Sequence, residues 1–189
     1  MAAYGLEEFI ADMTALTQKQ IGQQRLFEEG AVHLHRLLEN PECLPDAFKR
    51  PSGRGNNPNH GSYALHRGPG LFISAVVWGP GDGIGPHDHR TWGMIGVLDN
   101  HIQESRYRIA AGNGSDSQAL VKGSSTLLEP GDISFLTPEV DEIHSLSNSS
   151  DRPTVEIHVY GKDLVGLSRS RYDKSGVAHS FASTKYDNC

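Results

Sequence analysis

Two histidines separated by a single residue, His87 and His89, are the strongest chemical signal in the sequence. Side chains at positions i and i+2 of a strand point to the same face, so both imidazoles can reach one metal ion. A third histidine, His144, follows a Pro-Gly-Asp turn at 130–132 and an apolar segment, which places it on a neighbouring strand. The three predict a metal site; for His87 and His89 the alternative is a polar surface at the end of a loop.

The segment from Thr154 to Tyr160 alternates between aliphatic and polar residues. That period of two predicts a β-strand with Glu156, His158 and Tyr160 on one face. The opposite face carries Val155, Ile157 and Val159. The polar face either lines the interior of a barrel near the metal site or forms a solvated outer surface.

The elements that must position these residues change character near residue 60. Residues 1–50 contain two apolar patterns of helical period, and Asn40-Pro41 ends the second one. Residues 60–170 contain many short β-rich segments without interleaved helices, which predicts a mainly β sandwich or barrel. Turn signals separate these segments at 79–83, 112–116 and 129–132. Residues 171–189 are polar and predict a C-terminal tail, either loose or extended over the barrel.

The whole chain, residues 1–189, is predicted to form one domain. Its composition, 37% hydrophobic and 21% charged, is typical of a globular protein. A net charge of −6 without a Lys/Arg cluster argues against nucleic-acid binding. No apolar run approaches the roughly 20 residues needed to cross a membrane. The acidic first residues lack the basic start of a signal peptide, so we expect a cytoplasmic protein with Cys43 and Cys189 unpaired.

The histidine motifs resemble those of the cupin superfamily. The first cupin motif has a glycine six residues before the HxH pair, and Gly81 stands there. It continues to a glutamate, whose position falls on Gly93 or Met94, so the usual fourth ligand is missing. The second motif ends in a histidine and an asparagine four residues later, as in His144 and Asn148. The resemblance implies a double-stranded β-helix, a jelly-roll barrel, with N-terminal helices packed on its outside.

A cupin without that glutamate resembles the thiol dioxygenases: cysteine dioxygenase and the bacterial 3-mercaptopropionate dioxygenases. The similar segments are PHDHRTWGMIG at 86–96, EIHSLSN at 142–148 and IHVYG at 157–161. Three imidazoles leave open positions on the metal, and iron(II) suits such a site and can pass electrons to O2. The resemblance implies one iron(II) per chain, a small-molecule thiol substrate and O2, both of whose atoms are added to sulfur to give a sulfinate.

The family also has a Ser-His-Tyr row that hydrogen-bonds towards the iron. Glu156, His158 and Tyr160 have the same spacing, with glutamate in place of serine. The resemblance implies catalytic roles: Tyr160 faces substrate or O2, His158 bonds to it, and the Glu156 carboxylate orients His158. The cysteine that cross-links to this tyrosine in animal enzymes has no counterpart, so no thioether is expected.

Arginine holds the substrate carboxylate in this family. In the bacterial branch it follows the IHVYG tyrosine by nine residues, which is Arg169 here, although a surface residue in SRSRYD is the alternative. The cysteine enzymes instead have an arginine two residues after a first-strand tyrosine, but Tyr63 is followed by Leu65. This favours a 3-mercaptopropionate-like thiol carboxylate over cysteine. Tyr63, Leu65, Trp92 and Arg169 are the predicted substrate-binding residues.

Two other functions are compatible with these motifs. Glu156 and Leu65 depart from the family pattern, which leaves room for a different metal-dependent cupin enzyme, such as a C–C-cleaving dioxygenase or a lyase. A non-catalytic metal-binding cupin is the other alternative. Metal content after anaerobic purification, followed by O2 uptake with a panel of thiols, separates the three.

Overall fold

The computed structural model describes residues 3–54, 56–111, 118–138, 140–173 and 175–189. The chain opens with helices α1 (Leu6–Thr17) and α2 (Gln23–Leu38) and one turn of 3-10 helix (Asp46–Phe48). Eleven strands follow in the described residues: β1 His60–Gly68, β2 Leu71–Trp78, β3 Gly83–His87, β4 Gly93–Asp99, β5 Ile102–Ala111, β6 Gln118–Leu128, β7 Ile133–Leu136, β8 His144–Ser147, β9 Thr154–Tyr160, β10 Arg169–Tyr172 and β11 Ala178–Phe181. Neither α-helix is long and apolar enough to cross a membrane.

The strands form two antiparallel sheets. One has the order β1-β2-β9-β4-β7 and the other the order β11-β10-β3-β8-β5-β6. Strands that are distant in sequence lie side by side, as β9 does between β2 and β4, which is typical of a jelly roll. The predicted fold class, a mainly β double-stranded β-helix with N-terminal helices, is confirmed. The turn predicted at 112–116 lies outside the described residues.

Both helices pack on the outer face of the five-stranded sheet. Phe9, Met13 and Leu16 recur at helical spacing on α1 and are almost fully buried. On α2, Gly30 permits close approach to the sheet, because a Cβ built there would lie 2.7 Å from the Cε of Met94. The sheet contributes Ile73, Ala75, Val77, Val155, Ile157 and Val159 to this core. The aliphatic face of β9 is therefore its helix-facing side.

The inner face of the barrel has apolar residues at both ends and polar residues between them. One end is closed by Val76, Trp78, Val97, Ile102, Leu128 and Leu146. At the other end lie Phe72, Ile95, Leu136, Tyr160, Leu164 and Tyr186. The buried polar side chains between these two clusters include four histidines, His87, His89, His144 and His158. The polar interior of the barrel is therefore the candidate functional site.

The C-terminal residues continue the fold beyond residue 170. β10 pairs with β11 and, through Arg171, with His87 of β3, so these strands extend the second sheet. The chain then crosses to β1, where the backbone N–H of Asp187 donates to the carbonyl oxygen of Ser62 at 2.7 Å. The described residues of the C-terminal segment therefore extend along the barrel.

Candidate metal centre

The three predicted ligands meet inside the barrel. His87 ends β3 and pairs directly with His144 at the start of β8. His89 lies two residues after His87, and the three ring centroids are 4.7–4.9 Å apart. One nitrogen from each ring lies within 4.8 Å of the others. No carboxylate of the described residues belongs to this group.

The His87–His89 pair differs from the expected alternation along one strand. β3 ends at His87, and Arg90 has a positive φ of 54°, so His89 lies on a loop. One carboxylate oxygen of Glu142 accepts the backbone N–H groups of His89 and Arg90 at 3.0 and 2.8 Å. On the other side, the Asp88 carboxylate accepts the backbone N–H of Ser170 at 2.8 Å. A distant carboxylate, Glu142, and a carboxylate of the loop itself, Asp88, therefore hold the loop that presents His89.

The histidines are suited to bind a metal ion. Burial holds the pKa of His87 and His89 well below the ordinary histidine value, and burial also lowers the pKa of His144. The rings are therefore neutral, the form that ligates metals. The Nδ1 of His89 and the Nε2 of His144 are buried without a hydrogen-bond partner among the described residues. Buried nitrogens without partners are costly, and a metal ion would satisfy them.

Hydrogen bonds to the opposite nitrogens orient two of the rings. The Nδ1 of His87 donates to the carbonyl oxygen of Gly85 at 3.0 Å. The Nδ1 of His144 donates to Oε1 of Glu104 at 2.6 Å, and the hydroxyl of Ser134 donates to the same oxygen at 2.8 Å. The other oxygen of Glu104 lies 3.2 Å from Nε of Arg106. In His87 and His144 the other ring nitrogen, Nε2, is therefore the one available to bind a metal ion.

Glu104 supports a predicted ligand, His144, and the sequence motifs did not indicate it. Burial alone would raise its pKa, but the hydrogen bond from His144, the positive charge of Arg106 and the hydrogen bond from Ser134 lower the pKa of this carboxyl to about 2. The carboxylate is thus ionised behind a ligand. Glu104 and Arg106 stand two apart on β5, which would have hinted at a shared face, but only the pairing of β5 with β8 places them beside His144.

We expect Glu104→Gln to weaken metal binding by about 10–100-fold, the usual effect of losing a group that orients a ligand. Glutamine keeps the shape but removes the negative charge that supports the His144 ring and neutralises Arg106. Competition with a chromophoric chelator measures the affinity, and Glu129→Gln, on an exposed turn, is the matched control. Equal affinity of Glu104→Gln and wild type would show that Glu104 has no influence on the site.

The hydrogen bonds predicted for the polar face of β9 are present. Nε2 of His158 donates to Oε2 of Glu156 at 3.0 Å, and Nδ1 of His158 lies 2.7 Å from the Tyr160 hydroxyl. The indole Nε1 of Trp78 donates to the same oxygen of Glu156 at 2.6 Å. All three residues of the row are buried, and Oε1 of Glu156 has no partner among the described residues. The polar face of β9 therefore lines the interior of the barrel and is not a solvated outer surface.

The tyrosine at the end of this row lies beside the metal ligands. Its ring stacks against His89 with the centroids 5.3 Å apart. A Cβ built on Gly93 would come 2.8 Å from the Tyr160 ring, so glycine leaves room for that ring. Met94, the other position at which the cupin motif has glutamate, faces the helices instead. The space of the missing carboxylate ligand is therefore filled by Tyr160.

A cavity of about 100 Å³ adjoins the three histidines. His158, Tyr160 and Arg169 also line it. Arg169 is only 5% exposed, and its Nη2 donates to the hydroxyl of Ser183 at 2.8 Å. Its Nε is buried without a partner, and no ion pair links Arg169 to an acidic side chain in the described residues. Arg169 therefore lines the cavity and is not a surface residue.

Three predicted substrate-binding residues are not brought to the cavity. Tyr63 faces the helices, where its hydroxyl donates to the carbonyl oxygen of Arg50 at 2.7 Å. Leu65 also packs on the helix side, at an irregularity in the β1–β2 register between Ala64 and His66. Trp92 packs edge-on against Phe27 with the centroids 6.4 Å apart. These assignments are corrected, because the outer face of each segment meets the helical layer.

Residues of the opposite face, and of the C-terminal segment, line the cavity instead. They are His60, Ser62, Ser74, Leu164, Ser183 and Tyr186. Ser62 lies next to Tyr63 and therefore on the other side of β1. The alternation of polar residues at 60 and 62 with Gly61 and Tyr63 was visible in the sequence. Alternation separates the two faces of a strand but does not show which of them lies inside the barrel.

Several solved structures are similar to this chain in fold. An uncharacterized conserved protein with a double-stranded β-helix domain from Klebsiella pneumoniae subsp. pneumoniae has 19% identity and a TM-score of 0.44, covering 70% of this chain and 85% of that chain. An oxalate oxidase in complex with the substrate analogue glycolate has 14% identity and a TM-score of 0.46, covering 65% and 60%. KdgF from Halomonas sp. has 15% identity and a TM-score of 0.44, covering 58% and 86%. With TM-scores below 0.5, no conclusion about this chain rests on them.

The sequence also matches a family model. The match to cysteine dioxygenase type I spans residues 57–175, more than half of the chain. This range contains His87, His89 and His144, the β9 row and Arg169. The chain belongs to the cysteine dioxygenase type I family, metal-dependent dioxygenases with a cupin fold.

Proposed function

We propose that this protein is an iron(II) thiol dioxygenase that converts a small thiol carboxylate and O2 into a sulfinate. The observation that carries the proposal is the content of one cavity. It holds three neutral, buried imidazoles and a buried guanidinium, and among the described residues the imidazoles have no carboxylate ligand beside them and the guanidinium has no counter-ion. Iron(II) held by His87, His89 and His144 would supply sites for the thiolate and for O2 and would pass electrons between them. The electrons that reduce O2 would come from the thiol sulfur, to which both oxygen atoms are added.

Arg169 favours an anionic substrate. A buried guanidinium that lacks an acidic partner is costly, and a carboxylate would offset that cost through hydrogen bonds to Nε and Nη2. The cavity of about 100 Å³ is smaller than the ~300 Å³ at the low end of pockets for drug-sized ligands, so the substrate has only a few heavy atoms. A three-carbon thiol carboxylate meets both conditions.

The lining of the cavity disfavours cysteine relative to 3-mercaptopropionate. None of the described lining residues is an aspartate or a glutamate. The α-ammonium of cysteine would therefore lack a counter-charge inside the cavity, whereas 3-mercaptopropionate has no such group. Leu65, which packs on the helix side, contributes nothing to this preference; the supporting feature is the absence of acidic lining among the described residues.

The β9 row supports a proton-handling role for Tyr160. A carboxylate oxygen only accepts hydrogen bonds, so Nε2 of His158 donates to Glu156, and Nδ1 can accept the hydrogen bond of the Tyr160 hydroxyl. Burial raises the pKa of Tyr160, which keeps the phenol protonated. The hydroxyl oxygen then has free lone pairs towards the cavity, where it can accept a hydrogen bond from the substrate.

Removing the charge at the base of this row should slow turnover without emptying the site. We expect Glu156→Gln to lower kcat by about 10–100-fold, because the amide keeps the shape but orients His158 more weakly. Metal content and the KM for the thiol should stay at wild-type values, which a general loss of structure would not allow. Trp78→Phe, which removes the second donor to Glu156 and part of a buried ring, keeps the Glu156 carboxylate and should have a smaller effect. Full activity of Glu156→Gln would exclude the orienting role.

The test of the proposed function is an activity measurement on iron-loaded protein. After anaerobic purification and metal analysis, O2 uptake is followed with 3-mercaptopropionate, cysteine and a thiol without a carboxylate. Mass spectrometry of the product under ¹⁸O2 should show a sulfinate with two labelled atoms. Turnover of another substrate without a sulfinate would indicate a different metal-dependent cupin enzyme, and bound metal without any turnover would indicate a metal-binding cupin.

A further inference from the structure

The last residues of the chain form a strap over the cavity. This C-terminal strap, residues 183–189, runs from the six-stranded sheet to β1, the edge strand of the five-stranded sheet. The backbone N–H of Ser62 donates to Oδ2 of Asp187 at 2.8 Å. The Asn188 side chain accepts from the backbone N–H of Ala64 at 2.9 Å and donates to its carbonyl oxygen at 2.8 Å. Asp187 and Asn188 thus satisfy edge groups of β1 as a neighbouring strand would.

The strap carries two side chains into the wall of the cavity, Ser183 and Tyr186. Tyr186 is 5% exposed, and its ring packs against Phe72 with the centroids 5.0 Å apart. Its hydroxyl donates to Oδ1 of Asp163 at 3.2 Å. The guanidinium of Arg67 lies 5.2 Å from the ring centroid and binds the other oxygen of Asp163 at 2.9 Å. The Tyr186 ring is therefore fixed in position, between Phe72 and the Arg67–Asp163 pair.

This arrangement determines what Tyr186 offers to a ligand. Because its hydroxyl bonds to Asp163, the ring and not the hydroxyl is available to the cavity. Burial raises the pKa of Tyr186, so it presents no charge. The neighbouring Leu164 is also apolar and lines the same cavity. A carbon chain packs well against such a wall, and a fixed ring in the wall limits the length of that chain.

Ser183 forms a hydrogen bond with the guanidinium of Arg169. Its hydroxyl accepts from Nη2 of Arg169, while the Phe181 ring lies 4.4 Å from the Arg169 carbon Cζ. These two contacts fix the plane of the guanidinium, and Nε has no partner in the part of the chain that the structure describes. The strap thus combines a contact that orients the carboxylate-binding group with a wall that limits the size of the ligand.

We propose that the C-terminal strap is the outer wall of the substrate site and that Tyr186 is a specificity-determining residue, which limits the substrate to a thiol carboxylate of about three carbons. The proposal rests on the proposed function for the identity of the substrate. That the strap exists and covers the site does not depend on enzymatic turnover, and it is tested separately.

The first experiment tests the strap without any catalysis. In a variant with both Asp187→Ala and Asn188→Ala, hydrogen exchange at the amides of Ser62 and Ala64 should accelerate by about tenfold or more, because their acceptors are gone. The bound metal should also be lost to a chelator faster than from wild type. Asn59→Ala, which removes another exposed hydrogen bond to a backbone carbonyl, is the matched control. Unchanged exchange and unchanged metal loss would overturn the strap as a cover.

The second experiment tests size selection. For Tyr186→Ala, the ratio of kcat/KM for 4-mercaptobutyrate to that for 3-mercaptopropionate should rise by about tenfold or more, the usual effect of one methylene in a shaped pocket. Tyr186→Phe should keep the wild-type ratio, because it keeps the ring and loses only the bond to Asp163. An unchanged ratio in Tyr186→Ala, with the variant folded and metal-loaded, would overturn the role of Tyr186.

A third experiment distinguishes failure of the strap proposal from failure of the proposed thiol dioxygenase activity. If the wild-type protein oxidised no thiol, calorimetry with propanoate and butanoate on the metal-loaded protein would still measure size selection. Tyr186→Ala should then improve the binding of butanoate relative to propanoate. Equal preference in wild type and variant would overturn the proposal for the strap, whereas absent turnover with changed preference would overturn only the thiol dioxygenase activity.

Discussion

Replacing His144 with alanine is expected to abolish metal binding. The substitution removes one of three ligands and leaves the Glu104 carboxylate without the ring that it orients. His87→Ala and His89→Ala should have the same effect, because two remaining imidazoles hold a divalent ion poorly. The loss of affinity should exceed the roughly 10–100-fold expected for an outer partner such as Glu104. Metal analysis of each variant after loading and dialysis measures the effect, and O2 uptake should disappear with the metal.

A matched control separates ligation from general effects of histidine substitution. The His179 side chain is 62% exposed and bonds to Asp173, away from the triad, so His179→Ala should keep full metal content. Circular dichroism of the apo-proteins should show that all variants remain folded. Full metal content in the three ligand variants would show that the ion binds elsewhere.

Replacing Arg169 with alanine should cripple the use of thiol carboxylates while leaving the metal bound. Truncating one partner of a buried, hydrogen-bonded charge pair costs about 2–5 kcal/mol, which corresponds to roughly 30- to 4,000-fold in kcat/KM. Most of the loss should appear as a raised KM, because Arg169 acts on the substrate carboxylate and not on the reacting sulfur. Steady-state O2 uptake with 3-mercaptopropionate measures it.

Two controls make this prediction specific. Arg171, on the same strand, is exposed and lies over the same Phe181 ring at 4.8 Å, so Arg171→Ala tests for general effects of losing a cation there. Arg169→Lys keeps the charge but not the planar fork and should fall between wild type and Arg169→Ala. A thiol without a carboxylate should be used equally by wild type and Arg169→Ala. An equal loss for both thiols would contradict the assignment of Arg169 to the carboxylate.

A local pattern in the sequence determined the β9 row. Alternation has a period of two on any strand, so Glu156, His158 and Tyr160 had to share a face, and their neighbours had to share the other. All seven residues of β9 are buried, which means that polarity, and not exposure, distinguishes the two faces. The apolar period of α1 likewise determined the face that packs against the sheet. These features depend only on residues near one another in the chain.

Tertiary structure alone decided which distant residues complete the site. Glu104 and Glu142 support His144 and the His89 loop across strand pairs and loops that no local pattern specifies. On β1, alternation was visible in the sequence, but the packing of the helices on one side of the sheet decided that Ser62 and not Tyr63 lines the cavity. The same holds for Tyr186, whose place beside a metal site depends on side-chain pairing with an edge strand more than 120 residues earlier. Hydrogen bonding and packing between elements are long-range properties of the folded chain, and the period of a single segment does not contain them.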